Sequence, residues 1–318
     1  MQAICIPAAY ILDLIFGDPL WFPHPVRGIG WLIEKMEGLS RSIIKNERLS
    51  GIIFAFIIIG LSWSVTFILI RTTYFLNHYL GLLVSIIIIY TSLSVKDLAV
   101  ESLAVFKALE KRDIDNARTC LSKIVGRDTE NLGEVEITRA TVETVAENIV
   151  DGIISPLFYA FLGGAPLAIA YKAINTMDSM VGYKNKKYIN FGWAAAKIDD
   201  IANFIPARIS VIFLTLASWI AGYNTVCAWK ITMRDGMKNP SPNSGLPEAA
   251  VAGALGVQLG GLNYYKSVAS RKPYIGDNID PLDRSHIKKA VKIAYITSVL
   301  FVIMGITLYL FITRRIFL

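Results

Sequence analysis

The chain has 318 residues, of which 54% are hydrophobic and only 18% charged, which is too apolar for an ordinary soluble domain. Its net charge of +7 would suit a polyanion, but no basic patch with interleaved aromatics occurs. Lysine and arginine gather beside apolar runs, as positive-inside sorting of a membrane protein requires, so nucleic acid is excluded as a partner. Cys5, Cys120 and Cys227 are odd in number and far apart, so neither a disulfide framework nor a zinc site is indicated.

Residues 1–17 read as a short apolar helix broken at Gly17-Asp18-Pro19, because proline disfavours the helical conformation in the residue before it. No basic n-region precedes it, so it is expected to stay in the bundle rather than be cleaved. Next comes WFPHPVRGIG, two prolines around His24 that enforce an extended turn. The segment is either an interfacial loop under aromatic anchors or an elbow aiming His24 and Arg27 at an anion.

Spans are expected near 51–70 and 72–95, forming a helical hairpin whose tight connection lies around Thr72 to His78. Arg71 is the only formal charge between Gly51 and Val95. With five basic residues, segment 20–50 sorts to the cytoplasm. From Lys96 to Asp151 there are eight basic and twelve acidic residues. Apolar spacing there predicts two or three cytoplasmic helices separated at 111–115 and 126–133.

The stretch from Arg139 to Arg208 organises the chain. Glu143, Glu147 and Asp151 recur at steps of four, which places three carboxylates on one helical face. Like charges at that spacing repel, so a divalent cation, a lysine or arginine, or a cationic substrate is expected opposite them. An uncharged run of 20 residues, Gly152 to Tyr171, follows at once, and ionisable groups at a membrane boundary are a functional hypothesis by default. Pro156, Gly163, Gly164 and Pro166 interrupt that run. A full crossing would also leave six basic residues between Lys172 and Arg208 outside, so a broken or re-entrant passage is predicted. Beyond it, Asn175 and Asp178 form one acidic cluster, and Asp199, Asp200 and Asn203 a second, of the residue types that hold magnesium against a phosphorylated substrate. Lys184, Lys186 and Lys187 between them suit phosphate or, more commonly, anionic lipid.

A further span is expected near 209–229, then the loop NPSPNSG leading into a helix near 248–262. Proline suits a first helical turn, and an N-terminus after a glycine-containing loop is a general anion site, with Arg234 and Lys238 adding charge. There is no Walker loop. If 209–229 crosses fully, the NPSPNSG loop faces away from the acidic stripe. A polar excursion from Lys266 to Lys292 precedes the last span, near 293–313, and Arg314 and Arg315 close it. The fold class expected is therefore all-α: one membrane-embedded domain over 1–318, a polytopic integral membrane helical bundle with broken or re-entrant helices and cytoplasmic helical segments.

Four blocks in order, DLIFGDP with HPVRGIG, ATVETVAENIVDGIISPLFYAFLGGAPLAIAYKAINTMDSMVGY, DDIANFIPAR, and MRDGMKNPSPNSGLPEAAVAGALGVQLGG, resemble the adenosylcobinamide-phosphate synthase family, the membrane CobD/CbiB-type proteins of cobalamin biosynthesis. The resemblance implies a ligase of the cell membrane, multi-pass, with its active site facing the cytoplasm. It would join the propionate of adenosylcobyric acid, a corrinoid, to (R)-1-amino-2-propanol phosphate or aminopropanol, consuming ATP and requiring Mg2+. A homo-oligomer is compatible with it. On that basis Glu143, Glu147, Asp151 and Asp178 are the expected catalytic residues, with Glu147 the general base. Metal is expected at Glu143, Glu147, Asp151, Asp199 and Asp200. Substrate or phosphate is expected at Asp18, His24, Arg27, Asn148, Arg208, Arg234, Asn243, Ser244 and Glu248, and Phe191, Trp193 and Tyr264 would line a corrinoid pocket. An intramembrane magnesium-dependent prenyl- or phospho-alcohol transferase also wants two acidic clusters, but DDIANFIPAR lacks the glycine of the D-x-x-D-G-x-x-A-R pattern. A non-catalytic membrane sensor of the same fold would not need the acidic residues.

Overall fold

The computed structural model describes residues 2–19, 21 and 24–316, with side chains up to Thr313. Pro23 of the expected elbow and the side chains of Arg314 and Arg315 lie outside the described residues. Among the described residues, five helical stretches are long and apolar enough to cross a membrane: Glu47–Leu76, His78–Glu110, Glu134–Val181, Phe204–Ala221 and Ser285–Thr313. The chain is an all-α, multi-pass membrane protein that folds as two compact units, Met1–Ser94 with Ser155–Asn203 and Val302–Leu318, and Val95–Ile154 with Phe204–Phe301.

The first unit holds α1 (Gln2–Phe16), α2 (Pro25–Ile43), α3 (Glu47–Leu76) and α4 (His78–Tyr90). Asn46 starts α3 by accepting from Leu49 N–H at 3.0 Å. Asn77 alone separates α3 from α4. Its N–H donates to Thr73 O at 2.9 Å, and its side chain accepts from Tyr79 and Leu80 N–H at 2.8 and 3.2 Å. One residue thus closes one helix and caps the next, serving orphan groups at both ends. α8 (Ser155–Val181) also belongs here and is broken at Gly163 and Gly164, as its glycines and Pro166 foretell. Gly164 has φ 68° and ψ −158°, a region that side chains avoid. α9 (Trp193–Ala202) completes the unit with the C-terminal part of a long last helix.

The second unit begins with α5 (Val95–Glu110), α6 (Ile114–Ser122) and α7 (Glu134–Asn148), separated where the charged segment was expected to break. The α-winding stops at Asn148, and Ile149–Ile154 forms a π-helical turn. α10 (Phe204–Ala221) ends at a turn, and α11 (Thr225–Asp235) then packs back against it. The span expected at 209–229 is therefore shorter and starts earlier, because Asn224 accepts from Cys227 N–H at 2.9 Å and caps a new helix. α12 (Gly245–Leu255) follows, and residues 259–262, expected as helix, are strand: β1 (Leu259–Tyr265) pairs antiparallel with β2 (Val268–Ile275). Lys266 and Ser267, at φ 50° and 64°, make the two-residue turn whose twist matches paired strands. Asp128 holds it, accepting from Lys266 and Ser267 N–H at 3.0 and 2.6 Å. The last helix, α13 (Ser285–Ile316), starts in this unit.

Gly164→Ala is expected to destabilise the protein by about 1–3 kcal/mol, the usual cost of a side chain in a forbidden backbone region. The check is a lower melting temperature in detergent. Gly60→Ala, in a helix where an added Cβ meets nothing within 4 Å, should leave it unchanged or slightly raised.

Candidate functional site

The densest buried charge in the second unit is organised by an irregularity in its hairpin. Between Leu259 and Gly261 the register of β1 shifts, and Gly260 and Gly261 take φ of 86° and 92°. A β-bulge of this kind leaves backbone groups without ladder partners. α7 supplies them: Gly260 N–H donates to Glu143 Oε1 at 2.8 Å, and the Arg139 guanidinium donates to Gly260 O and, at 2.9 Å, to Leu262 O. The other oxygen of Glu143 accepts from Arg127 at 2.6 Å, and Arg127 also donates to Asn263 Oδ1 at 2.6 Å. Glu143 is 1% exposed. A carboxylate so deep is tolerable only when paired and hydrogen-bonded, and here both oxygens are engaged.

Around that pair stand further ionisable groups. Glu248 on α12 is 1% exposed; its Oε2 accepts from Asn239 Nδ2 at 3.2 Å, while Oε1 has no hydrogen bond and lies 4.0 Å from Lys272 Nζ. Burial, opposed by the Lys272 charge and reinforced by Glu143 and Glu147, pushes the Glu248 carboxyl up to about 8. Burial works against the charges of Arg127 and Lys272, but the carboxylates outweigh it, Glu143 foremost for Arg127 and Glu248 for Lys272, so both stay more basic than usual. Glu147 is half-buried, acts on Arg127, Lys272 and Glu248 through its charge, and has no hydrogen bond or ion pair to a described residue. The positive charge opposite the acidic stripe is thus arginine and lysine.

Other expected residues have definite places. Asp151 lies in the π-helical turn Ile149–Ile154 that follows α7. Asn148 donates to Thr144 O at 2.9 Å. Arg208 donates to Asn243 Oδ1 at 3.3 Å and lies 3.4 Å from the centre of the Phe204 ring, which joins two phosphate candidates. Ser244 precedes α12 and makes no side-chain cap. Arg234, expected at phosphate, instead forks onto Asp235 at 2.7 and 2.8 Å and onto Asp277 at 2.9 and 3.1 Å. With Lys238 and Gly276 N–H, it holds Asp235 well below the usual carboxylate range. Arg127, Tyr264 and Lys266 line a groove of about 770 Å³ with Asp128–Leu132 and Ser267.

Within the first unit a second polar cluster joins α8 to α9. Buried Asn203 accepts from Ser155 Oγ at 2.6 Å and Tyr171 OH at 2.9 Å, and donates to Asp199 Oδ2 at 3.0 Å. Asp199 Oδ1 is out of solvent without a hydrogen bond. Burial and the charge of Asp178, relieved in part by Asn203 and Asn175, raise the Asp199 carboxyl to about 7. Asp200 pairs with Lys197 at 3.0 Å. His24 caps α2 by accepting from Val26 N–H through Nδ1 at 3.3 Å, with Asp18 3.6 Å from its Nε2 and 4.0 Å from Arg27. Burial lowers the His24 pKa against the pull of Asp18, in keeping with a neutral ring. Phe191 is 1% exposed against Phe54, too deep to line an open pocket, and Trp193 lies under Arg48. Among the described residues, no three His, Cys, Asp or Glu side chains form a metal-holding group.

Residues 6–294 match the family model described as CobD/Cbib protein. The chain belongs to the CobD/Cbib family. Similar relatives are the proteins named cobalamin biosynthesis protein CobD of Geobacter metallireducens, 48% identical over 297 residues and covering 93% of each chain, and of Leptospira interrogans, 46% identical over 304 residues and 96% of each. That of Clostridium perfringens is 49% identical over 298 residues, covering 93% of this chain and 95% of the relative. No solved structure matches the chain. All four resemblance blocks fall within the matched span of this CobD/Cbib family member. Arg127, Arg139, Asn239, Asn263 and Lys272 complete its buried cluster but belong to no candidate set read from sequence. The only signal for them was the requirement for positive charge opposite the stripe.

The Glu248 carboxyl gives a signed test in this CobD/Cbib protein. Its folded value of about 8 lies above the ordinary 4.5, so the folded state holds the proton more tightly. The resulting stability is full below pH 4.5 and is lost as pH rises towards 8. Glu248→Gln should remove this fall, so that melting temperatures measured from pH 5 to pH 8 decline less than in the wild type. An unchanged slope would contradict a protonated Glu248.

Proposed function

We propose that the protein is an adenosylcobinamide-phosphate synthase, which joins adenosylcobyric acid to (R)-1-amino-2-propanol phosphate, or to aminopropanol, with consumption of ATP. Membership of the CobD/Cbib family and relatives named for cobalamin biosynthesis support the pathway. The observation that carries the chemistry is Glu147: a half-buried carboxylate without a hydrogen bond, beside two cations that burial fails to neutralise.

A carboxylate is a poor electrophile at neutral pH, so the propionate must first be converted. Its oxygen attacks the γ-phosphorus of ATP, giving an acyl phosphate and ADP. The amine then attacks the acyl carbon, and inorganic phosphate leaves. The incoming amine is an ammonium in water and must lose a proton first; Glu147 is the proposed acceptor. Arg127 and Lys272 would favour negative charge developing on the acyl oxygens, as preorganised donors do. Glu143 is the residue that keeps Arg127 in place, through the bond at 2.6 Å. Arg208 with Asn243 is the proposed contact for the amine's phosphate.

Magnesium belongs to this reading as the ion that accompanies the nucleotide and offsets phosphate charge. Glu143 does not fit as its ligand, since both oxygens are engaged. Asp199 fits better, with a buried oxygen lacking a hydrogen bond and a carboxyl raised by burial and by neighbouring Asp178. Within the first unit, Asp199 and Asp178 are the carboxylates proposed for a cation, in keeping with the one or two that magnesium usually takes from protein. The cell membrane is the proposed site, with the charged segments 96–151 and 266–292 on the cytoplasmic side by the lysine and arginine bias.

Purified protein given adenosylcobyric acid, ATP, Mg2+ and either amine should yield the amide by mass spectrometry. Glu147→Ala should lower the rate about 10²–10⁴-fold, the usual contribution of a general base, with little change in melting temperature. Wild-type rates in that variant would remove Glu147 from the mechanism. Absence of amide from the wild type would favour a transferase or a sensor.

A further inference from the structure

The lysine-rich loop between α8 and α9 has no place in the proposed chemistry, yet it is held firmly. Arg41 on α2 donates to Lys187 O at 2.8 Å, pairs with Glu47 at 2.8 Å, and lies 4.2 Å from the centre of the Phe191 ring. Lys187 bonds to Tyr188 OH at 2.7 Å and pairs with Glu37 at 3.2 Å. Arg48 sits 4.0 Å over the Trp193 ring. Ser40 Oγ and Ser50 Oγ, 2.8 Å apart, tie the end of α2 to the start of α3.

This framework uses the local carboxylates Glu37 and Glu47 and leaves surplus positive charge. Lys45, Lys184 and Lys186 are exposed and have no hydrogen bond or ion pair to a described residue, and exposed Arg48 has only its ring contact. Interleaved with them are exposed apolar and aromatic side chains, Ile43, Leu49, Tyr183, Ile189 and Trp193. Arg48 lies within the first turn of the candidate span Glu47–Leu76, so these cations sit where lipid-facing helix begins. Aromatic rings with lysine and arginine at that level are the side-chain types of a membrane–water interface.

We infer that the ends of α2 and α3 and the loop 183–190 form a docking surface for anionic phospholipid headgroups of the surrounding bilayer, with Lys45, Arg48, Lys184 and Lys186 as the phosphate-facing cations. The apolar side chains between them would contact the upper acyl chains. Attraction of this kind weakens with added salt.

The full-length protein in a neutral detergent provides the test. Added phosphatidylglycerol should raise its melting temperature, and phosphatidylcholine should not. In K45Q/K184Q/K186Q the shift should need at least tenfold more phosphatidylglycerol, whereas the charge-keeping K45R/K184R/K186R and the control K123Q, in the other unit, should respond as wild type. Variants that melt as wild type without lipid show that the fold is intact. Two results would overturn the inference: an undiminished shift in the glutamine variant, or an equal shift from millimolar inorganic phosphate, which would make the patch a free-anion site.

Discussion

A bulge in a two-stranded hairpin constrains most of what the second unit can do. Gly260 leaves the ladder with an N–H and a C=O to satisfy, and α7 answers with Glu143 for the first and Arg139 for the second. Only glycine suits this place: its φ is 86°, and an added Cβ would lie 2.1 Å from Pro273 O. A carboxylate brought inside to meet a backbone N–H must itself be neutralised, and Arg127 does so. Breaking such a pair by removing one partner typically costs about 3–5 kcal/mol, because the other charge stays buried alone. Strand irregularity, buried acid and paired arginine therefore stand or fall together, and Glu147, one turn further along α7, inherits a fixed position beside them.

The first unit solves a similar problem with amides. Asn203 gathers Ser155, Tyr171 and Asp199 into one network, and Asn77 serves two helices at once. Uncharged asparagine can accept and donate without the desolvation cost of an ion. The exception is Asp199, whose uncompensated oxygen and neighbouring Asp178 make it the one place in this cluster where added positive charge would relieve repulsion.

The architecture was largely legible in the sequence, because apolar runs of about 20 residues have few alternatives to membrane helices. The break at Gly163 and Gly164 and the helix boundaries between Val95 and Asn148 were readable from breakers and spacing. The hairpin at 259–275 was not: its turn is Lys266-Ser267 rather than a glycine or asparagine pair, and what holds it is Asp128, far away in the chain. The π-helical turn that carries Asp151 was equally hidden, since a step of four looks the same in sequence whether the helix winds as α or π. Glu143, Glu147 and Glu248 were found as acids, but their partners were not, because nothing local marks Arg127 or Lys272 among 32 basic residues. Arg234 shows the converse, a cation well placed for phosphate by sequence that folding commits to Asp235 and Asp277.

The buried coupling of Glu143 to Arg127 therefore sets the arrangement of Glu147, Glu248 and Lys272. A double-mutant cycle tests it most directly, using Glu143→Gln, Arg127→Met and the pair together, with unfolding free energy measured on purified protein. The double variant should be more stable than the sum of the single losses allows, by about 0.5–3 kcal/mol, the range found for residues in one network. Losses that add to within about 0.5 kcal/mol, as for independent sites, would contradict it.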